Sequence, residues 1–320
     1  MNTAGRLGLY GAGLVVVFGV AFAAAGAIVP DSAVASWMER GGDGHELRPA
    51  EEAASNAEDE EDEWTDVSGV TIAASGYVIE AISAPGETGV EGELTFRIRD
   101  AVGEWVTAYE TANGKQLHLI VVRSDGSEYR HVHPELDSHT GTWSLPWHWD
   151  AAGTYRVYAD FTAWGGSGVT LSRTVDVAGA FVPKPPAGMQ TTASVDGFDV
   201  SISGDLVAGT GSELTVEVSR DGAPVTTLEP YLGAFGHLVA LREGDLAYLH
   251  VHAHGDEPEP GDVAGPEVIF TAQAPTAGRY LLYLDFQVDG KVHTAPFVLE
   301  AGASAEEGAT DESEDDHGGH

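Results

Sequence analysis

Two stretches of the chain carry the same sequence of apolar and polar positions. Residues 118–133 read HLIVVRSDGSEYRHVH and residues 237–252 read HLVALREGDLAYLHVH, an ungapped match in which seven of 16 residues are identical, three of them histidines. Each is an apolar run, a turn signal and a second run, the form of a β-hairpin, with Asp125-Gly126 and Gly244-Asp245 as two-residue turns. With those turns, Ser124 faces Ser127, Ile120 faces His131 and His118 faces His133. Side chains directly opposed across a ladder, or two apart along a strand, share a face, so His118, His131 and His133 project together. The same count places His237 opposite His252 with His250 beside it.

Around each hairpin the period-two pattern continues. ELTFRIRD (93–100) and TYRVYADF (154–161) alternate as half-buried strands, and ELTVEVSR (213–220) and AGRYLLYLDF (277–286) repeat them. The last matches AGTYRVYADF (152–161) at six of ten positions. Short strands separated by Gly, Asp and Pro turns predict antiparallel sandwiches. The expected class is all-β: two tandem, duplicated immunoglobulin- or cupredoxin-like β-sandwiches after an N-terminal transmembrane helix. The first sandwich is placed at 67–179 and the second at 191–302, joined by a stiff Pro-rich linker at 180–190. TWSLPWHW (142–149) adds aromatic core or rim packing to the first.

The pattern fails at both ends. Leu7 to Pro30 carries no charge for 24 residues, enough to span a hydrocarbon core of about 30 Å as a helix. Arg6 precedes it and Asp31 follows, so residues 1–40 read as a single-pass anchor with the amino terminus cytoplasmic and the domains outside. Ala33-Val34-Ala35 keeps cleavage and secretion open as the alternative. Residues 41–66 include EEAASNAEDEEDE and form an acidic disordered tether, and 303–320 is an acidic tail whose His317 and His320 could hold metal weakly.

Composition narrows the chemistry. A formal charge of −36, from 51 acidic and 15 basic residues, excludes a nucleic-acid partner, which needs a basic footprint. The same charge attracts cations. The absence of cysteine removes disulfides, thiolate zinc sites, iron–sulfur clusters and blue-copper sites, and with three methionines a thioether copper site is excluded too. Imidazole and carboxylate remain, which favour Cu(II), Zn(II) or Ni(II), with copper or zinc expected as the bound metal.

The hairpin histidines lie roughly 4.5 to 7 Å apart at Cβ, a spacing from which rings converge on one ion at about 2.0–2.1 Å. The expected centre is therefore His237, His250 and His252, with a parallel one at His118, His131 and His133, near two ions per chain. Asp160 and Asp285 hold equivalent places in the repeated Tyr-x-x-Tyr-x-Asp-Phe strand and could complete a shell or fix a tautomer. His254, aligned with Glu135, and His293, whose approximate counterpart is Thr170, enrich the second domain. Neutral imidazole is the ligand form, so affinity should fall as pH drops through about 6.5. No His-Glu-x-x-His, Gly-x-Ser-x-Gly or phosphate-loop motif accompanies these residues, so a zinc hydrolase using three histidines stands as an alternative, as does a protein-binding scaffold whose histidines only pack.

LHLIVVRSDGSEYRHVHPE with GTYRVYADF, and GHLVALREGDLAYLHVH with GRYLLYLDFQVDGKVHTAPF, resemble a family of bacterial, especially actinobacterial, membrane-anchored secreted proteins loosely associated with heavy-metal handling. The resemblance covers both domains and the anchor. It implies an extracytoplasmic β-sandwich protein with a link to metal and transfers no defined activity; capture, buffering or delivery of a divalent metal, with a metal transporter or other envelope protein as partner, is the function expected from the histidines. The architecture is also similar to CopC-like copper carriers, but these use a histidine at the mature amino terminus and this chain shows no equivalent.

Overall fold

The computed structural model describes residues 69–249, 251–259 and 261–303. The anchor at 1–40, the acidic tether at 41–66, His250, and the tail with His317 and His320 lie outside the described residues. Both sandwiches fall within one compact unit.

The first contains β1 (Ala73–Ala74), β2 (Tyr77–Ile79), β3 (Gly92–Arg99), β4 (Leu117–Arg123), β5 (Arg130–Val132), β6 (Glu135–Asp137), β7 (Thr142–Trp147), β8 (Gly153–Thr162) and β9 (Gly168–Val177). The second contains β10 (Thr192–Val195), β11 (Phe198–Ser203), β12 (Leu206–Val207), β13 (Gly211–Arg220), β14 (Ala223–Pro224), β15 (His237–Arg242), β16 (Tyr248–Leu249), β17 (Val251–Ala253), β18 (Glu267–Gln273), β19 (Gly278–Val288) and β20 (Lys291–Gly302).

Sheets β1-β2-β3-β7-β6 and β5-β4-β8-β9 make the first sandwich, and β10-β11-β13-β18-β17 and β12-β20-β19-β15-β16 the second. The described chain is thus all-β and duplicated. Alternation explains each inner face. In β3, buried Leu94, Phe96 and Ile98 meet Trp143, Trp147 and Val157 in the first core. Phe198, Phe270, Phe286 and Phe297 fill the second.

Strand β4 breaks the alternation, since all seven of its residues are buried. A strand covered on both faces reads as a continuous apolar run, and the second cover is the other sandwich. Leu117, Leu119 and Val121 point into the first core. Ile120 and Val122 point the other way, into a third cluster with Tyr158, Val239, Leu241, Leu281 and Tyr283. The two repeats therefore dock through β4 and β8 of one and β15 and β19 of the other.

The docking is reciprocal. Tyr158 Oη donates to the Leu246 carbonyl in the second hairpin turn (2.5 Å), and its repeat equivalent Tyr283 donates to the Gly126 carbonyl in the first (2.5 Å). Such exchange of equivalent contacts is the pattern of a two-fold interface, here within one chain. The turns themselves are braced alike: Arg123 donates to both carboxylate oxygens of Asp125 (3.0 and 2.8 Å), and Arg242 pairs with Asp245. The linker ties to the first turn, where Lys184 N donates to Asp125 Oδ2 (2.6 Å).

The first turn differs from the expected two-residue loop. Arg123 N donates to Ser127 O (2.9 Å) and Gly126 N to Arg123 O (2.8 Å), so Ser124, Asp125 and Gly126 form the bend and Ser124 does not face Ser127. Glu128, at φ 55°, then takes up one extra residue as a bulge. Ile120 still pairs with His131, so the displaced bend leaves the histidine register intact. In the second copy Ala240 pairs with Leu249, again as expected, but the pairing goes no further. Strand β17 hydrogen-bonds to β18 in the opposite sheet instead, with His252 across from Thr271.

Candidate metal centre

Four imidazoles meet where the repeats dock. Strand β4 supplies His118, and β5 and the residue after it supply His131 and His133. From the other repeat, β15 brings in His237. His118 Nδ1 lies 3.1 Å from His131 Nε2 and 3.3 Å from His133 Nε2. The rings of His118 and His237, equivalent residues of the repeat, stack at 5.6 Å with 2° between planes, and His237 is 5.0 Å from His131. Ligand atoms of His118, His131 and His237 all lie within 4.8 Å of one another, the one such group among the described residues.

The hydrogen bonds at the far side of two rings fix where their protons sit. His118 Nε2 faces the Ala112 carbonyl at 3.2 Å, and a carbonyl only accepts, so Nε2 carries the hydrogen and Nδ1 a lone pair. His131 Nδ1 faces Asp285 Oδ2 at 2.9 Å; an ionised carboxylate only accepts, so His131 Nε2 also carries a lone pair. With Asp285 ionised, those two nitrogens, 3.1 Å apart, are both free to act as ligands. Tetrahedral ligation at about 2.0–2.1 Å sets ligand nitrogens about 3.3–3.4 Å apart; the His118–His131 pair is near that separation at 3.1 Å, and the His237 ligand atom lies within 4.8 Å of both. Metal-bound histidines commonly hold their outer N–H on a carboxylate or carbonyl, as Asp285 and Ala112 do here.

Burial sets the charge state. His118 is 4% exposed and Asp285 2%, while the His131 side chain is 1% exposed. Desolvation first, and then the neighbouring imidazoles, push His131, His133 and His237 down to about 3. Burial lowers His118 as well, against the Ala112 carbonyl. Desolvation raises Asp285 to about 6, opposed by the Thr294 hydroxyl and by His237. Near neutral pH the cluster is therefore four uncharged imidazoles beside one ionised carboxylate, the form that binds a cation.

The candidates from sequence divide. His118, His131 and His133 share a site, and the described members of the second expected trio separate: His237 joins the first trio, while His252 is exposed on the opposite sheet. The reason is local. Val251 and Ala253 pack on the second core, which turns His252 outward. His254 is also exposed and sits 2.6 Å from Thr271 Oγ1. His254 N donates to the Ile269 carbonyl (2.9 Å), which extends the pairing of this segment with β18 beyond Ala253.

Asp285 contacts the first repeat rather than an imidazole of its own hairpin. Its Oδ1 accepts from Thr294 Oγ1 (2.5 Å), and Asp160 Oδ1 accepts from Thr170 Oγ1 (2.8 Å). Thr294, not His293, is thus the counterpart of Thr170. His293 points to the other face, into the second core between Phe198 and Phe286, with Nδ1 2.8 Å from Asp196. Asp160 pairs with His118 in the ladder. Sequence patterns missed the Ala112 carbonyl and the joining of the two repeats at one place.

No curated protein matches the chain. Similar solved structures include domains 4 and 5 of the S-layer protein SbsC, 11% identical over 66% of this chain and 81% of that one, TM-score 0.21. Fibronectin(III)-like modules of Clostridium thermocellum CbhA are 9% identical over 71% and 93%, TM-score 0.20. The D0-D1 domain of intimin is 16% identical over 70% and 97%, TM-score 0.19. Residues 72–179 and residues 193–303 match the same family, one copy per sandwich, and the chain belongs to that family, a domain of unknown function (DUF8832).

Proposed function

We propose that this protein captures a divalent transition metal, Cu(II) or Zn(II), at a single centre made by His118, His131 and His237 with His133 alongside, and buffers or delivers it outside the cytoplasm from a membrane anchor at residues 7–30. The observation that carries this is the convergence of the ligand atoms of His118, His131 and His237 within 4.8 Å of one another, with the outer ring nitrogens of His118 and His131 placed against the Ala112 carbonyl and Asp285. Cysteine-free ligation by neutral imidazole suits both metals.

Competition titration of the full chain with Zn(II) and Cu(II) tests the function. One tightly held ion per chain is expected, in place of the two that separate hairpins would hold. His131→Gln should lower affinity by more than the roughly 10–100-fold that losing an outer hydrogen-bond partner costs. Two equally tight ions, or undiminished binding in that variant, would contradict it.

A further inference from the structure

We propose that the two repeat-equivalent histidines of the centre have different duties: His118 is a fixed ligand, and His237 is the exchangeable one, the first to let go when the ion is passed on. This rests on the metal-binding function above and adds how the ion is released. Both rings belong to the converging group, and they stack at 5.6 Å with 2° between their planes. What differs is the support on the outer side of each ring.

Each histidine follows the same tight turn at the same spacing. Ala112 and Lys115 exchange main-chain hydrogen bonds around Asn113-Gly114 (2.9 and 3.0 Å), and Tyr231 and Ala234 do so around Leu232-Gly233 (2.8 and 3.4 Å). The central residues all have positive φ, 48° and 71° in the first turn, 56° and 77° in the second, as a type I′ turn requires. In the first repeat the Ala112 carbonyl also accepts from His118 Nε2 at 3.2 Å, which holds the ring in one tautomer with Nδ1 as the ligand atom. The equivalent carbonyl, that of Tyr231, accepts nothing from His237, and among the described residues neither ring nitrogen of His237 has a hydrogen-bond partner. Asp285 lies across the ladder from His237, but its Oδ2 is taken by His131 and its Oδ1 by Thr294. The approach to the ring differs as well: Leu117, 1% exposed in the first core, precedes His118, and Gly236 precedes His237.

An outer hydrogen bond orients a ligand ring and raises its basicity, and losing one costs about 10–100-fold in affinity. His118 and His131 have such bonds; His237 does not. Dissociation therefore begins at His237, with the ion still held by His118 and His131 and with His133 Nε2 3.3 Å from His118 Nδ1. A neutral nitrogen or a carboxylate oxygen of the acceptor takes the vacated position, one donor atom for another, with no change in the charge of the ion.

Two measurements on the full-length protein test this. Ring nitrogen NMR of the unaltered, chelator-treated protein near neutral pH reads the tautomers directly and needs no variant to fold. His118 should show a single form with the hydrogen on Nε2, and His237 should show both nitrogens averaged between protonated and bare. Competition against a chelator for Zn(II) then compares His118→Ala with His237→Ala, and the loss at His118 should exceed that at His237 by about 10–100-fold. A single fixed tautomer at His237, or equal losses in two variants of a protein that itself binds tightly, would overturn the division of duties and leave the centre standing. Failure of the unaltered protein to bind Zn(II) or Cu(II) would remove the centre and both ligand roles, whatever the ring spectra show.

Discussion

At the scale of single residues, the site depends on which atom of each ring bears the hydrogen. Asp285 acts by accepting from His131 Nδ1, so Asp285→Asn, whose amide oxygen can still accept, should retain most metal affinity. Asp285→Leu should lose roughly 10–100-fold; equal losses in chelator competition would show that the charge, not the acceptor, matters. Burial of the rings also changes the expected pH response. With His131, His133 and His237 at about 3, proton competition for an ion starts well below the pH of about 6.5 expected of free imidazole. The metal-free protein bears the cost instead. Unfolded histidines take up protons below about 6.5 while folded ones resist until about 3, so stability falls as pH drops through that window. Asp285, raised to about 6, works the other way, because its folded form holds a proton more tightly, but it is one group against three. Denaturant midpoints of chelator-treated protein should decline from pH 6.5 to pH 4, and a flat profile would contradict the burial of neutral rings. The trio His118, His131 and His133 was legible from period-two alternation and a turn. Its tautomers were not, because they depend on Ala112 and Asp285, neither of which the hairpin contains.

At the scale of elements, each strand at the docking surface serves two neighbours, one per face. Tyr158 and Tyr283 contribute equivalent hydrogen bonds across the repeat boundary. Tyr158→Phe and Tyr283→Phe should each destabilise by about 1 kcal/mol, read as a shift in denaturant midpoint, and a marked inequality would mean that the exchange is not reciprocal. Leu281, 2% exposed in the shared apolar cluster, should cost about 2–5 kcal/mol when changed to Ala. The register of the first hairpin was legible in the sequence, and it survived a turn of different length because the Glu128 bulge restored it; in the second copy it holds only as far as Ala240 and Leu249. Two things were not plain. The apolar LIVV run at 119–122 implies cover on both faces without saying by what, and hairpin counting carries no signal for the earlier sheet crossing in the second copy.

At the scale of the whole molecule, duplication does not produce duplicated sites among the described residues. The repeats contribute unequally: the first gives three imidazoles, and the second gives His237 and the orienting Asp285. An excess of 36 negative charges over the chain favours the approach of cations, and under the proposed function the uncharged cluster within would supply the specific ligands. The central claim is that one ion bridges the two repeats. Anomalous scattering from crystals of the zinc-loaded full-length protein tests it most directly. The account predicts one strong peak among His118 Nδ1, His131 Nε2 and a ring nitrogen of His237. Full zinc occupancy at other residues, with none at this cluster, would contradict it.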